Sequence, residues 1–207
     1  MSSIKNIKHV VFDFDGVIVD SERKKFADLQ AILENQGYML SDSLFESFIG
    51  KKRGHFLSEL GVSHIAHIMQ RVHEEDKHFA GIELKTGLRE LLALLKQQGI
   101  TMHIATGSSA EFVFSLLDLH GIRDYFSIIL TGDEVAESKP NPAVYVEIKS
   151  RLNSSQIVVI EDSPAGVLAA KTADLFVIGL GTNLDAGVVF ANLDDVQSFF
   201  WKEFGKR

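Results

Sequence analysis

The sequence predicts an α/β fold, a doubly wound parallel sheet with a small helical domain inserted after the first strand. Two observations support this prediction. Short apolar runs that end in polar residues or glycine alternate with longer segments of helical periodicity, which is the order expected of a parallel sheet covered by helices on both faces. The stretch 21–81 has no strand-like run and is interrupted by glycines, which indicates a helical insertion.

Five strands and four helices of the sheet domain are predicted from these patterns. The strands are 7–13, 100–105, 126–130, 157–160 and 175–178, and the helices are 88–95, 112–119, 144–152 and 164–173. Ser163 and Pro164 are expected to be the N-cap and first residue of the last helix, and Thr106 is expected to cap the second. The predicted domains are a catalytic core of 1–17 and 84–207 and a helical cap of 18–83.

Composition and charge exclude several classes of protein. The 207 residues are 45% hydrophobic and include only 3 prolines, so the chain can bury a core and is not disordered. The absence of cysteine excludes a disulfide scaffold, a thiol nucleophile and a cysteine-ligated metal. A net charge of −7 opposes binding to nucleic acid. Neither a signal peptide nor a membrane-spanning run is found, and we expect a cytoplasmic protein.

Polar residues follow the predicted strands at the points where the strands end. After the first, second, third and fourth strands come Asp13 and Asp15, Thr106 and Gly107, Lys139, and Glu161 and Asp162. The carboxyl ends of parallel strands meet at one edge of the sheet, so these side chains are expected to lie together. Four carboxylates facing one lysine need a counter-charge, and oxygen ligands of this kind suit Mg²⁺. The pattern therefore indicates phosphoryl chemistry assisted by a metal.

Four sequence motifs carry a family resemblance. DFDGV at 13–17, IATGSS at 104–109, SKPNP at 138–142 and EDSPAGV at 161–167 resemble, in this order and spacing, the four motifs of the haloacid dehalogenase-like superfamily. The helical insertion, with DSE at 20–22, is similar to the cap of the beta-phosphoglucomutase and phosphoglycolate phosphatase-like branch. The resemblance covers nearly the whole chain and is most specific in the core.

The resemblance implies a role for each motif residue. Asp13 would be the nucleophile that becomes an aspartyl phosphate, and Asp15 would act as general acid and then general base. Mg²⁺ would be held by Asp13, the backbone carbonyl of Asp15 and Asp162, with Glu161 as a further ligand or a neighbour of the ligands. Thr106, Gly107 and Lys139 would bind the phosphoryl group, Lys139 also offsetting charge in the transition state, and Arg53 of the cap would contact the substrate.

The cap offers weaker signals. Two basic triplets, Arg23-Lys24-Lys25 and Lys51-Lys52-Arg53, could meet a substrate anion, although a solvated helix face explains them more simply. Five histidines also occur in the cap: His55, His64, His67, His73 and His78. His64 and His67 have the spacing of one helix turn, but exposed histidines are commoner than a metal site.

The sequence is thus interpreted as a Mg²⁺-dependent phosphatase that hydrolyses a small phosphate monoester through an aspartyl-phosphate intermediate. The alternatives are a phosphosugar mutase similar to beta-phosphoglucomutase and, from another class, a binding protein that has lost activity. The mutase pattern has a hinge histidine where this chain has Lys25, which argues against the mutase more strongly than it argues for hydrolysis. The expected partner is a small phosphorylated metabolite, with no nucleic acid and no membrane, and the expected assembly is a monomer or weak homodimer.

Overall fold

The structure, a computed structural model, describes residues 7–48, 53–75 and 81–205. The chain divides into two compact units. We call Met1–Val19 with Leu84–Arg207 the sheet unit, and Asp20–Glu83 the helical unit. The first predicted junction lies two residues before the observed division and the second coincides with it. The roles of catalytic core and cap for these units remain predictions.

The sheet unit is built on parallel strands. Within the described residues they are β1 (His9–Phe12), β2 (Thr101–Ala105), β3 (Phe126–Leu130), β4 (Ile157–Glu161), β5 (Phe176–Leu180) and β6 (Val188–Phe190). Their order across the sheet is β3-β2-β1-β4-β5-β6, and every neighbouring pair is parallel. The predicted doubly wound parallel sheet is therefore confirmed, because this order winds outward in both directions from the β1/β4 pair.

Helices cover both faces of this sheet. In the sheet unit they are α5 (Leu88–Gln97), α6 (Ala110–Leu119), α7 (Ala143–Leu152), α8 (Pro164–Thr172) and α9 (Leu193–Phe204). Val11 of β1 belongs to the core cluster that contains the buried side chains of α7 and α8. Val10 and Phe12 point to the opposite face and are fully buried too, so neither face of β1 meets water.

The helix caps agree only partly with the sequence analysis. Ser163 is the N-cap of α8, its hydroxyl accepts the N–H of Gly166, and Pro164 is the first helical residue, as predicted. The predicted cap at Thr106 is wrong, because the N-cap of α6 is Ser109, whose side chain accepts the N–H of Phe112. Three residues separate Thr106 from the first residue of the helix, and its hydroxyl accepts the N–H of Ser108 instead of one in the first turn.

The carboxyl-terminal elements were not predicted. β6 has three residues, none of them buried, so its sequence lacks the apolar signal of the central strands. α9 did carry a signal: Asn192 accepts the N–H of Asp195 as N-cap, and the buried residues Leu193, Val196 and Phe200 have helical spacing. α9 packs against α5 and β6 and completes the cover of the sheet edge.

The helical unit has a small aromatic core of its own. Its described helices are α1 (Ser21–Glu34), α2 (Phe45–Phe48), α3 (Arg53–Glu59) and α4 (Ile65–Glu75). Phe48 contacts Phe26 of α1 and Phe56 of α3 edge-on, with ring centroids 5.2 and 5.3 Å apart. Leu29, Leu57 and other buried residues surround these rings. The aromatic contacts link the short helices, which are individually too short to be stable in water.

The chain passes between the two units at neighbouring points. Val19, which ends the first segment of the sheet unit, bridges Leu84, which begins its second segment, in antiparallel pairing. The N–H of Asp20 donates to the carbonyl of Glu83 at 2.9 Å. Both ends of the insertion are therefore hydrogen-bonded to each other. None of the helices among the described residues is long and apolar enough to cross a membrane.

A histidine pair lies at the amino-terminal edge of the sheet. His103 of β2 is 2% exposed, and its Nε2 lies 3.2 Å from Thr101 Oγ1 and 3.3 Å from His9 Nδ1. Its Nδ1 is buried without a hydrogen-bond partner in the described part of the chain. Burial, with a smaller contribution from His9, lowers the pKa of His103 to about 4, because a protonated Nδ1 would have no acceptor.

We expect this histidine to make the protein sensitive to mild acid. The unfolded chain takes up a proton at His103 near pH 6.5, whereas the folded chain does so only near pH 4, so stability falls as the pH drops between these values. The loss attributable to His103 is about 2 kcal/mol between pH 7 and pH 5. Urea unfolding at both pH values, followed by circular dichroism, should show a smaller pH effect for His103→Val than for the unmodified protein.

The exposed His67 of the helical unit provides the control for this experiment. His67→Ala removes a histidine without touching the sheet edge. Equal pH dependence of His103→Val and the unmodified protein would contradict the assignment of the acid sensitivity to His103.

Candidate active site

The predicted motif residues meet where the strand order of the sheet reverses. Asp13 directly follows β1, and its backbone N–H donates to the carbonyl of Ile160 in β4 at 3.0 Å. Glu161 ends β4 and Asp162 follows it. The crevice beside such a reversal is the usual ligand site of open α/β sheets, because the flanking loops separate there.

Lys139 is a buried cation held between two carboxylates. Its Nζ donates to Asp13 Oδ1 at 2.5 Å, to Glu161 Oε1 at 2.6 Å and to the carbonyl of Ala105 at 3.3 Å. The side chain is only 12% exposed. Burial alone would lower the pKa of Lys139, but the Asp13 carboxylate and other negative groups outweigh it and hold the pKa well above its usual value. Lys139 is therefore a fixed positive charge.

Lys139 contacts only two of the three carboxylates clustered beside it. Oxygen atoms of Asp13, Glu161 and Asp162 lie within 4.8 Å of one another. Burial, with a smaller contribution from Glu161, raises the pKa of Asp162 to about 7, although the charges of Lys85 and Lys139 oppose the rise. Burial also raises the pKa of Asp13, with Lys139 opposing the rise. The group thus lacks positive charge, and its oxygen donors fit a hard divalent cation such as Mg²⁺.

Glu161 is the most completely enclosed of the three carboxylates. Its Oε1 accepts hydrogen bonds from Lys139 and from the hydroxyl of Tyr145, at 2.6 and 2.8 Å. Its Oε2 accepts two from Ser163, one from the backbone N–H and one from the hydroxyl, each at 3.1 Å. Tyr145 is not among the predicted site residues, because its position in a predicted helix is typical of a core residue.

The second predicted carboxylate, Asp15, is held by the loop after β2. The hydroxyl of Ser108 donates to Asp15 Oδ2 at 2.5 Å, and the N–H of Ser108 donates to Thr106 Oγ1 at 3.0 Å. Thr106 is 1% exposed and follows β2 directly. Ser108 had no role in the sequence analysis, since 93 residues separate it from Asp15. The structure thus links the first and second motifs through a serine.

Asp162 packs against the backbone of Gly16. Gly16 has a φ of +76°, in the left-handed region that favours glycine. A Cβ built at Gly16 would overlap the carboxylate of Asp162. Glycine here therefore does two things, because it allows the turn after Asp15 and leaves space for a predicted metal ligand.

The first basic triplet of the helical unit is paired with acids. Arg23 lies 3.7 Å from Asp20, Lys24 donates to both oxygens of Asp28 at 2.7 and 2.6 Å, and Lys25 donates to Glu22 at 2.8 Å. These three side chains do not form an uncompensated positive patch. The simpler interpretation, a charged helix face, is the one that the contacts support.

The other predicted residues of the helical unit are described only in part. Arg53 is the first residue of α3 and is half-buried. Lys51, Lys52 and His78 lie outside the described residues, as do the side chains of His55 and His73. His67 lies on α4, but His64 precedes this helix with a φ of +57°, so the expectation that both lie on one helix turn is wrong.

The fold and the site match a known family. The family model described as haloacid dehalogenase-like hydrolase matches residues 10–180. The chain belongs to this family. It is similar to validoxylamine A 7'-phosphate phosphatase of Streptomyces hygroscopicus subsp. limoneus, with 29% identity over 96% of this chain and 98% of the relative. It is also 31% identical to a phosphorylated carbohydrates phosphatase of Thermotoga maritima, over 80% of this chain and 81% of the relative.

A solved structure supports the same assignment. A Thermotoga maritima protein provisionally assigned as a beta-phosphoglucomutase superposes with a TM-score of 0.77 at 26% identity, covering 95% of this chain and 99% of that protein. The predicted haloacid dehalogenase-like family and fold are therefore confirmed. The roles assigned to individual site residues stay predictions.

We expect Gly16→Ala in this haloacid dehalogenase-like protein to impair metal binding. The new methyl group has to displace the Asp162 carboxylate, so the affinity for Mn²⁺, used as a paramagnetic substitute for Mg²⁺, should fall by about ten-fold or more. Titration followed by the electron paramagnetic resonance signal of free Mn²⁺ measures this change directly.

Gly99→Ala is a matched control for this variant. Gly99 has a φ of +70°, and a Cβ built there meets nothing within 4 Å. Both variants carry the cost of alanine in a left-handed conformation, about 1 kcal/mol, but only Gly16→Ala disturbs a carboxylate. Equal Mn²⁺ affinities of the two variants would contradict the proposed link between Gly16 and the metal site.

Proposed function

We propose that this chain is a Mg²⁺-dependent phosphatase that hydrolyses a small phosphate monoester through an aspartyl phosphate on Asp13. The observation that carries the proposal is the group formed by Asp13, Lys139, Glu161 and Asp162, in which a buried nucleophile candidate contacts a fixed cation beside further metal-ligating oxygens. The phosphatase names of the relatives support the same activity.

In the first step, a carboxylate oxygen of Asp13 attacks phosphorus and the bond to the leaving oxygen breaks. Asp15 gives its proton to that oxygen. Lys139 holds one oxygen of Asp13 and offsets the negative charge that grows on the phosphoryl group. The hydroxyl of Thr106 and the backbone N–H of Gly107, which follow β2, would be further donors to the phosphoryl oxygens.

In the second step, water attacks phosphorus and passes a proton to Asp15, and the bond between phosphorus and Asp13 breaks. Inorganic phosphate leaves and both carboxyl groups return to their starting states. Ser108 can hold Asp15 in both protonation states, because its hydroxyl donates to the oxygen that does not carry the proton.

Asp13, Asp162 and the backbone carbonyl of Asp15 would hold Mg²⁺, with Glu161 beside them. When bound, Mg²⁺ neutralises phosphoryl oxygens and lets a carboxylate approach a phosphate dianion. The helical unit is proposed to be the cap that excludes bulk water and holds the leaving group, with Arg53 as the predicted contact. A net charge of −7 supports a small substrate over nucleic acid, and we propose a cytoplasmic location.

Hydrolysis is favoured over mutase activity by the state of Lys25. This residue stands where the mutase pattern has a hinge histidine. Its ammonium group can only donate, and it donates to Glu22. It therefore cannot act as the acceptor that delays acid–base catalysis until a sugar is bound. The silent binding protein is disfavoured because Asp13, Lys139 and Asp162 are assembled in one group.

A substrate panel tests the proposed activity. Phosphorylated sugars, phosphoglycolate and nucleotides are incubated with Mg²⁺, and phosphate release and isomerised product are measured separately. We expect phosphate release from small monoesters and its loss in excess chelator, because the carboxylates then lack their counter-charge. Isomerisation of β-glucose 1-phosphate faster than phosphate release would identify a mutase, and full turnover in excess chelator would exclude the metal mechanism.

Two isosteric variants test the covalent step. Asp13→Asn removes the nucleophile's charge and should lower turnover at least about a thousand-fold without forming a phosphoprotein. Asp15→Asn retains the nucleophile but lacks the base that activates water, so it should accumulate phosphoprotein with an activated aryl phosphate. Intact-protein mass spectrometry detects the added phosphoryl group, and its presence on Asp13→Asn would assign the nucleophile to another residue.

A further inference from the structure

Tyr145 is a buried phenol that contacts Lys139 and Glu161 of the proposed catalytic site. It lies on α7, is fully buried, and its hydroxyl donates to Glu161 Oε1 at 2.8 Å. Lys139 Nζ lies 4.9 Å from the centroid of the Tyr145 ring. Tyr145 therefore contacts both partners of the Lys139–Glu161 ion pair, although no step of the proposed reaction uses it.

The hydrogen bonds of Glu161 leave no acceptor position open. A carboxylate has two oxygens with two lone pairs each. On Oε1 these positions are taken by Lys139 and Tyr145, and on Oε2 by the backbone N–H and the hydroxyl of Ser163. A metal ion could bind Glu161 only after one of these four donors has been displaced.

The two neighbouring carboxylates, Asp13 and Asp162, accept fewer hydrogen bonds than Glu161. Lys139 occupies Oδ1 of Asp13, and among the described residues no side-chain donor reaches Oδ2. Within the same part of the chain no side chain donates a hydrogen bond to Asp162, and Lys85 and Lys139 act on it through their charge alone. Two of the three clustered carboxylates thus have oxygens available to a cation, while the third is saturated.

We propose that Tyr145 is a positioning residue that commits Glu161 to Lys139 and keeps Glu161 out of the metal's ligand set. The inference rests on the proposed function and divides the carboxylates of that site between two tasks. Asp13 and Asp162 serve the metal, and Glu161 anchors the lysine. The phenol is responsible for this division, because its hydroxyl donates to the lone pair of Glu161 Oε1 that Lys139 does not use.

Tyr145→Phe tests this division. The variant keeps the ring beneath Lys139 and frees one lone pair of Glu161 Oε1, so Glu161 can turn toward the cation. We expect Mn²⁺ to bind about three-fold or more tightly, and kcat to fall by about ten-fold with KM unchanged, because Lys139 is less firmly oriented. A loss of packing alone would not tighten metal binding.

Mn²⁺ affinity is measured without substrate, from the electron paramagnetic resonance signal of the free ion. Asp162→Asn should weaken binding at least ten-fold and so identifies the titrated site. In a Glu161→Gln background, Tyr145→Phe should no longer tighten binding, since the coupling requires the carboxylate. Ser163→Ala frees a lone pair on Oε2 and provides a second variant, expected to change the affinity in the same direction.

Tyr125→Phe is the matched control, because Tyr125 lies in the sheet unit far along the chain from Glu161 and stacks against Lys96 instead. It should change neither Mn²⁺ affinity nor kcat. Unchanged or weaker Mn²⁺ binding by Tyr145→Phe, with normal binding by the unmodified protein, overturns the role of Tyr145 alone. Failure of the unmodified protein to bind Mn²⁺ overturns the proposed metal-dependent function as well.

Discussion

The site depends on a charge imbalance that the fold holds in place. Lys139 sits between Asp13 and Glu161, with Asp162 beside them, and water is largely excluded from the group. Removing carboxylates from water is costly unless each is compensated, and the charges of Lys85 and Lys139 do not prevent the pKa of Asp162 from rising. The carboxylates at this site therefore need further positive charge. A metal ion bound together with a phosphate ester would supply it.

Backbone geometry makes this crowding possible. The parallel sheet brings the ends of β1 and β4 side by side, so residues 148 positions apart in sequence become neighbours without any long side chain reaching across. Small residues then allow close approach: a side chain at Gly166 would overlap the carboxylate of Glu161, and one at Gly132 would overlap the carbonyl of Gly107. The position of each carboxylate is set mainly by main-chain packing, with hydrogen bonds fixing its rotation.

The features that could be predicted are those determined by residues adjacent in the sequence. The strand and loop of the first motif are one continuous segment, so Asp13 could be placed at the end of β1 from local pattern and strand geometry alone. Ser108 and Tyr145 could not be found in this way. Their importance lies in partners that are distant in sequence, Asp15 and Glu161, and each is an ordinary residue for its own position.

The wrong N-cap prediction has a different, local origin. Thr106 has the chemistry of an N-cap, but the chain continues three residues further before it turns into α6. The triplet at Arg23 is not such an error, because the preferred interpretation as a charged helix face agrees with its pairing to Asp20 and Asp28.

The paired crossings at Val19 and Leu84 have a consequence for how such proteins diversify. Because Val19 and Leu84 pair with each other, the chain leaves and re-enters the sheet unit at one place, whatever the length of the segment between them. The entropic free-energy cost of closing a loop grows slowly with its length, by about 0.6 kcal/mol for each doubling. Evolution can therefore lengthen, shorten or exchange the inserted segment at little cost to the stability of the sheet unit.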